Sequence, residues 1–167
     1  MSPQASGVGM WSQRALRTAS AHLIRIEPKR GYPRPLVPGS LIHLGEIGGD
    51  YMIVDPVPDV RDWVVTLLDG RHVGVVEDLI IDTSAMAARY VEVRIDRDTL
   101  TGKEDRWMLV PVESMRIDAK SARVMLDYVP ESALADATRH RGRLPTADEE
   151  RVIHAYFDTT PAEASHG

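Results

Sequence analysis

Cysteine is absent from the 167-residue sequence, and phenylalanine occurs only once. The absence of cysteine excludes disulfides, thiolate metal ligands and cysteine nucleophiles. No apolar run approaches the roughly 20 residues that a membrane-spanning helix requires. The first residues also lack the charged start and apolar stretch of a signal peptide. We therefore expect a cytoplasmic protein without a spanning helix.

The net charge of −5 is unevenly distributed along the chain. Residues 1–49 carry six basic and two acidic side chains, whereas the remainder carries 14 basic and 23 acidic ones. The acidic body argues against direct nucleic-acid binding. The basic segment leaves three contacts open: an anionic membrane surface, RNA, or the body of the protein itself.

Residues 1–49 are predicted to form an extended, partly disordered N-terminal arm. Trp11–Ile26 has a ragged apolar face that permits a short helix, which would lie on a membrane or on a protein surface. Glu27–Ser40 holds four prolines, which favour an extended linker. Leu41–Ile47 alternates weakly between polar and apolar residues, which indicates a short strand.

The stretch Trp63–Asp82 carries the strongest local signal. Two apolar runs, Trp63–Leu68 and Val73–Ile81, flank the dipeptide Asp69-Gly70. Asp-Gly between β-prone runs predicts a hairpin with a type I′ turn, which needs a positive φ at both central residues.

Residues 89–95 alternate with the period of a half-buried strand. One face is apolar and is predicted to point inward: Val91, Val93 and Ile95. The other is predicted to point outward: Tyr90, Glu92 and Arg94.

Three more short strands are predicted at Trp107–Val112, Met115–Ile117 and Arg123–Leu126. Short strands separated by turns favour a small antiparallel β-barrel or sandwich, and closure into a barrel would remove the exposed strand edges. Thr146–Phe157 predicts a helix that starts with a capping box and docks an apolar face on the barrel. The face consists of Val152, Ile153, Tyr156 and Phe157. We divide the chain into an arm (1–49), a barrel (50–129), a C-terminal helical extension (130–158) and a tail (159–167).

Residues 57–157 resemble the PRC-barrel family in an ordered series of segments. The segments are PDVRDW, LDGRHVGVVEDLIID, RYVEVRI, WMLVPVESMRID and LPTADEERVIHAYF. The resemblance implies a mainly β, PRC-type barrel like the cytoplasmic domain of the photosynthetic reaction-centre H subunit. It also implies an accessory role in a photosynthetic electron-transfer complex, on the cytoplasmic face of the inner membrane.

One departure limits that implication. The H-subunit pattern places a proton-carrying glutamate three residues after the strand-ending aspartate, a position that Ala85 occupies here. A second implied role comes from the ribosome maturation factor that shares the fold: a soluble ribosome- or RNA-processing-associated adaptor.

The titratable residues do not form a recognisable catalytic or metal-binding pattern. The six histidines are scattered along the sequence. Strand alternation places Glu77 on one face of its strand and Asp78 and Asp82 on the other. We therefore expect no catalytic residues, no metal and no cofactor, and a non-enzymatic protein-binding or scaffold module. Its oligomeric state and its partner stay open.

The candidate partner contacts are the polar side chains of two strands and one basic loop. The three alternating arginines of the loop would suit an anion or an acidic partner. The complete set is Asp78, Asp82, Tyr90, Glu92, Arg94, Arg139, Arg141 and Arg143.

Overall fold

The chain is mainly β. The computed structural model describes residues 24–96, 104–138 and 140–158. The strands in these ranges are β1 (Ile26–Pro28), β2 (Leu41–His43), β3 (Tyr51–Ile53), β4 (Val64–Leu67), β5 (His72–Asp82), β6 (Ala87–Ile95), β7 (Arg106–Pro111), β8 (Met115–Asp118) and β9 (Arg123–Leu126). The helices are α1 (Leu44–Ile47), α2 (Glu131–Ala135) and α3 (Ala147–Asp158), and a 3-10 turn covers Val112–Ser114.

Seven strands form one sheet that curls into a half-barrel. The hydrogen-bonded order is β7-β6-β5-β4-β9-β8, and β2 also pairs with β5. The predicted antiparallel pairing holds for every neighbour except β4 and β9, which run parallel. Among the described residues, β7 and β8 are the two ends of this path.

The predicted hairpin is confirmed as β4 and β5, but its turn differs. The Leu67 N–H donates to the Arg71 carbonyl at 2.9 Å, which closes a loop of three residues. Gly70 has a left-handed φ of 92° and Asp69 does not. A three-residue loop with glycine in the left-handed position replaces the predicted type I′ turn. Within it, the Asp69 carboxylate accepts from the Arg71 N–H at 3.0 Å.

Only parts of the described segment 24–49 are buried, and Tyr32 and Val37 are exposed. Ile24 is fully buried, and β1 pairs with β3. The predicted helix Trp11–Ile26 is therefore wrong at its end, because Ile26 belongs to a strand; residues 11–23 lie outside the described ranges. The predicted strand Leu41–Ile47 ends at His43, after which α1 buries Leu44 and Ile47.

The core lies on the concave side of the sheet. The predicted inward residues Val91, Val93 and Ile95 are at most 1% exposed. Since inward residues alternate along each strand, β5, β7 and β9 add Leu79, Val110 and Val124 to the same layer.

The C-terminal helix begins as predicted. The Thr146 hydroxyl accepts from the Glu149 N–H at 3.2 Å, and the Glu149 carboxylate accepts from the Thr146 N–H at 3.1 Å. The apolar face docks only in part, because Phe157 is buried whereas Val152 is 44% exposed. No helix in the described ranges has the length and apolarity to cross a bilayer.

Candidate functional site

The outer face of the sheet is covered where β5 and β6 meet the C-terminal helix. Tyr90 is 0% and Glu92 2% exposed, so the prediction that they point to solvent is wrong. The alternation itself is right, but α3 and the loop before it cover this face. Arg94, the third predicted residue, is half-buried.

Tyr90 joins β6 to the helix. Its hydroxyl donates to Glu150 Oε1 at 2.8 Å and lies 3.0 Å from His154 Nε2. Burial and the Glu150 carboxylate both raise the pKa of Tyr90 well above its ordinary value. The phenol therefore stays protonated and acts as a hydrogen-bond donor rather than as a base or nucleophile.

Arg89 extends this network to the end of β5. Ile80 pairs with Tyr90 and Ile81 with Ala88, so Arg89 is the extra residue of a β-bulge. A bulge re-aims a side chain, and Arg89 donates to Glu150 at 2.6 Å and to Asp82.

Asp82 is held inside this network rather than displayed on the surface. Its carboxylate also accepts from the Ser84 and Ala85 N–H groups at 2.9 and 3.2 Å. Burial opposes ionisation, but the bonds from Arg89, Ala85 and Ser84 lower the pKa of Asp82. The carboxylate thus stabilises the β5–β6 turn.

His43 and Glu92 form a second buried pair. His43 Nε2 lies 3.6 Å from Glu92 Oε2, a charge contact longer than a normal hydrogen bond. The Glu92 carboxylate raises the pKa of His43, against the opposing effect of burial. Glu92 also accepts from the Gly142 N–H at 2.9 Å, which ties the loop before α3 to the sheet.

A second bulge changes the expected arrangement of Glu77 and Asp78. Val76 pairs with Val93 and Asp78 with Glu92, so Glu77 is the extra residue. The sequence predicted that Glu77 lies on the opposite strand face from Asp78 and Asp82. That prediction rested on strict alternation, which a bulge interrupts.

Both carboxylates are nevertheless engaged. Glu77 lies 3.3 Å from Arg94 and 3.6 Å from Arg141. Asp78 accepts from the N–H groups of Gly45 and Leu79 at 3.1 and 2.8 Å.

The basic loop does not present a row of free cations. Arg141 faces Glu77, and Arg143 lies 2.9 Å from Glu149. Arg139 lies outside the described ranges. The prediction of an anion clamp is weakened for the two described arginines, because carboxylates of the chain already accompany them.

An open apolar groove lies between α3, α2 and β7, and the sequence did not reveal it. Its volume is about 430 Å³. The side chains that form its walls include Trp107, Met108, Leu144, Val152, Ile153 and Tyr156. The sequence placed Val152 on a helix face that was predicted to dock on the barrel, and gave no indication that this residue is 44% exposed.

Most of the charged groups that line the groove are carboxylates. They are Glu92, Asp136, Asp148 and Glu149, against the single Arg143. Asp136 accepts from the Tyr156 hydroxyl, and Asp148 pairs with Arg151. The groove therefore has an apolar centre and a mainly acidic rim.

No cluster of three or more histidine, aspartate or glutamate side chains suited to a metal occurs within the described part of the chain. Neither the known family models nor the curated protein sequences include a match to this chain. Membership of the PRC-barrel family therefore stays a prediction; the curled β-sheet with a C-terminal helix is the established level of description.

Proposed function

We propose that the protein is a non-enzymatic, PRC-barrel-type binding module that holds a partner protein in the groove beneath α3. The observation that carries the proposal is the incompletely docked helix. Val152 and Leu144 are 44% and 39% exposed at the groove. A contiguous apolar surface with a polar rim is typical of protein–protein interfaces.

The anchoring of the helix supports this use of the groove. Tyr90, Arg89 and Glu92 connect the sheet to α3 and to the loop before it. A wall fixed by buried polar contacts is preorganised, so a partner does not bear the cost of ordering it.

The chemistry of the buried polar groups also favours binding over catalysis. Tyr90 is a protonated donor, and Asp82 and Glu92 accept hydrogen bonds from N–H groups of the chain. Each of these groups has a structural partner, and a general base or nucleophile must instead be available to a substrate.

The photosynthetic version of the function is not part of this proposal. Ala85 lies in the β5–β6 turn, where its N–H binds Asp82. An alanine side chain carries no proton, so the glutamate role of the H subunit has no counterpart at this position. We propose a cytoplasmic location. Attachment to a membrane complex would depend on which partner the protein binds.

Affinity capture from the source cells with three baits tests the proposal. The baits are the wild-type chain, V152E and V64E. Val64 is an exposed valine on β4, with 39% exposure against 44% for Val152, so V64E controls for a new surface charge. Circular dichroism checks that each bait is folded.

We expect the wild type and V64E to retain the same partner and V152E to lose it. The captured protein, purified, should bind V152E at least tenfold more weakly than V64E. Equal binding by V152E and the wild type would contradict a function for the groove. A ribosomal protein among the specific partners would favour the adaptor role, and an integral membrane subunit the membrane-complex role.

A further inference from the structure

We propose that the groove is occupied by the chain's own N-terminal segment, residues 1–23, in the same molecule. The segment would then compete with the partner protein for the groove, and this competition rests on the function proposed above. The contact itself does not, because it involves only this chain.

The direction of the chain at Ile24 is the first argument. The Ala88 N–H donates to the Ile24 carbonyl at 2.8 Å, and the Ile26 N–H donates to the Met86 carbonyl at 2.9 Å. The chain therefore runs antiparallel to β6, and it enters this pairing from the side on which Glu92 lies.

The reach of the segment is the second argument. Glu92, which lines the groove, is four residues along β6 from Ala88. Four residues of strand span about 13 Å. Trp11 is 13 residues before Ile24, and that length of extended chain spans up to about 45 Å. The groove is thus well within reach of Trp11 and Leu16.

Charge is the third argument. Residues 1–23 carry Arg14 and Arg17 and no acidic side chain. The rim of the groove carries the carboxylates of Asp136, Asp148 and Glu149 and one arginine, while a fourth carboxylate, Glu92, is buried. A basic segment with apolar anchors fits an apolar groove with an acidic rim, because opposite potentials attract and the apolar side chains lose contact with water.

Site-directed cross-linking tests the contact. Because the chain has no native cysteine, only the introduced cysteines react. A cysteine beside Trp11, S12C, is combined with A147C at the start of α3, next to Asp148 of the groove. The control pair is S12C with A119C. Ala119 is also exposed, but it lies in the β8–β9 turn, at the other end of the sheet path from β7.

We expect a short bismaleimide reagent to cross-link S12C/A147C within one molecule, several-fold more than S12C/A119C. Adding R14E and R17E should remove most of this difference. Equal yields for the two pairs would overturn the proposal. A dimeric product specific to A147C would replace it with occupation by a second copy.

The competition is measured separately by partner capture. R14E/R17E should retain several-fold more partner than the wild type, since its groove is open more often. Unchanged capture would overturn the competition while the cross-link establishes the contact. Equal capture of the partner by V152E and the wild type would instead overturn the proposed function and leave the cross-linked contact untouched.

Discussion

The hydroxyl of Tyr90 lies between Glu150 Oε1, at 2.8 Å, and His154 Nε2, at 3.0 Å. Tyr90 belongs to the most buried part of β6, and the other two residues lie one turn apart on α3. The phenol therefore acts together with Arg89 to hold the C-terminal helix on the sheet. Because the same helix forms a wall of the groove, this contact links fold stability to the proposed binding site.

The first prediction concerns this phenol. Y90F keeps the ring but removes the hydroxyl that donates to Glu150 and lies 3.0 Å from His154 Nε2. We expect the free energy of unfolding to fall by about 1–3 kcal/mol, as for other hydrogen bonds to charged groups. Urea denaturation measures it. The control is Y32F, at a fully exposed tyrosine, which should leave the unfolding midpoint unchanged; a similar shift for both variants would contradict the role of Tyr90.

The second prediction concerns the pH dependence of the pair His43–Glu92. Glu92 raises the pKa of His43 above its ordinary value of 6.5. A raised folded-state pKa gives stability that is fully present below pH 6.5 and is lost as the pH rises through the folded-state value. We expect H43Q to be about 2 kcal/mol less stable than the wild type near pH 6, and the difference to shrink toward pH 9.

The charges around His43 define the control for this experiment. Glu92 is the main one, and Asp78 and Glu46 add smaller attractions. In an E92Q background, the pH-dependent part of the H43Q effect should largely disappear, as a double-mutant cycle measures. A stability difference that is constant from pH 6 to 9 would mean that His43 acts through packing alone.

The sequence predicted the features that depend on short-range patterns. Asp69-Gly70 indicated the hairpin, and Thr146 with Glu149 indicated the start of α3. The alternation of residues 89–95 correctly separated Val91 from Tyr90. It could not show that the second face is also covered, because α3 comes from more than 50 residues further along the chain.

The bulges explain the other differences. Arg89 and Glu77 are the extra residues of β6 and β5, and no local pattern distinguishes them from regular strand residues. Each bulge changes the side on which the following side chains lie. The bulge at Arg89 directs its side chain to Asp82, a predicted surface contact, which therefore belongs to the network of Arg89 and Glu150. The groove was not predictable for another reason: its walls come from β7, α2 and α3, which are separate in the sequence.

The third prediction concerns Gly74, where β5 and β6 approach closely. A Cβ atom at this position would lie 2.0 Å from the Arg94 carbonyl oxygen, a contact that the backbone must move to avoid. We expect G74A to lower the free energy of unfolding by about 3 kcal/mol, at the upper end of the range for overpacked core positions. G49A is the control, since a Cβ there meets nothing within 4 Å. If both variants unfold at the wild-type urea concentration, the two strands do not approach in this way.

The fourth prediction concerns the capping box of α3. Thr146 satisfies the Glu149 N–H, and T146A removes that acceptor while T146S retains it. We expect T146A to cost about 1 kcal/mol, as for other N-caps, with T146S close to the wild type. Amide hydrogen exchange should accelerate most at residues 148–150, because the first turn loses its cap.

The groove should respond to the same change. Asp148 and Glu149 belong both to this first turn and to the groove, so fraying would move the acidic rim without altering its charge. T146A should therefore reduce the S12C/A147C cross-link, and T146S should not. A cross-link that is insensitive to T146A, although exchange at 148–150 accelerates, would show that the N-terminal segment contacts the helix without depending on its first turn.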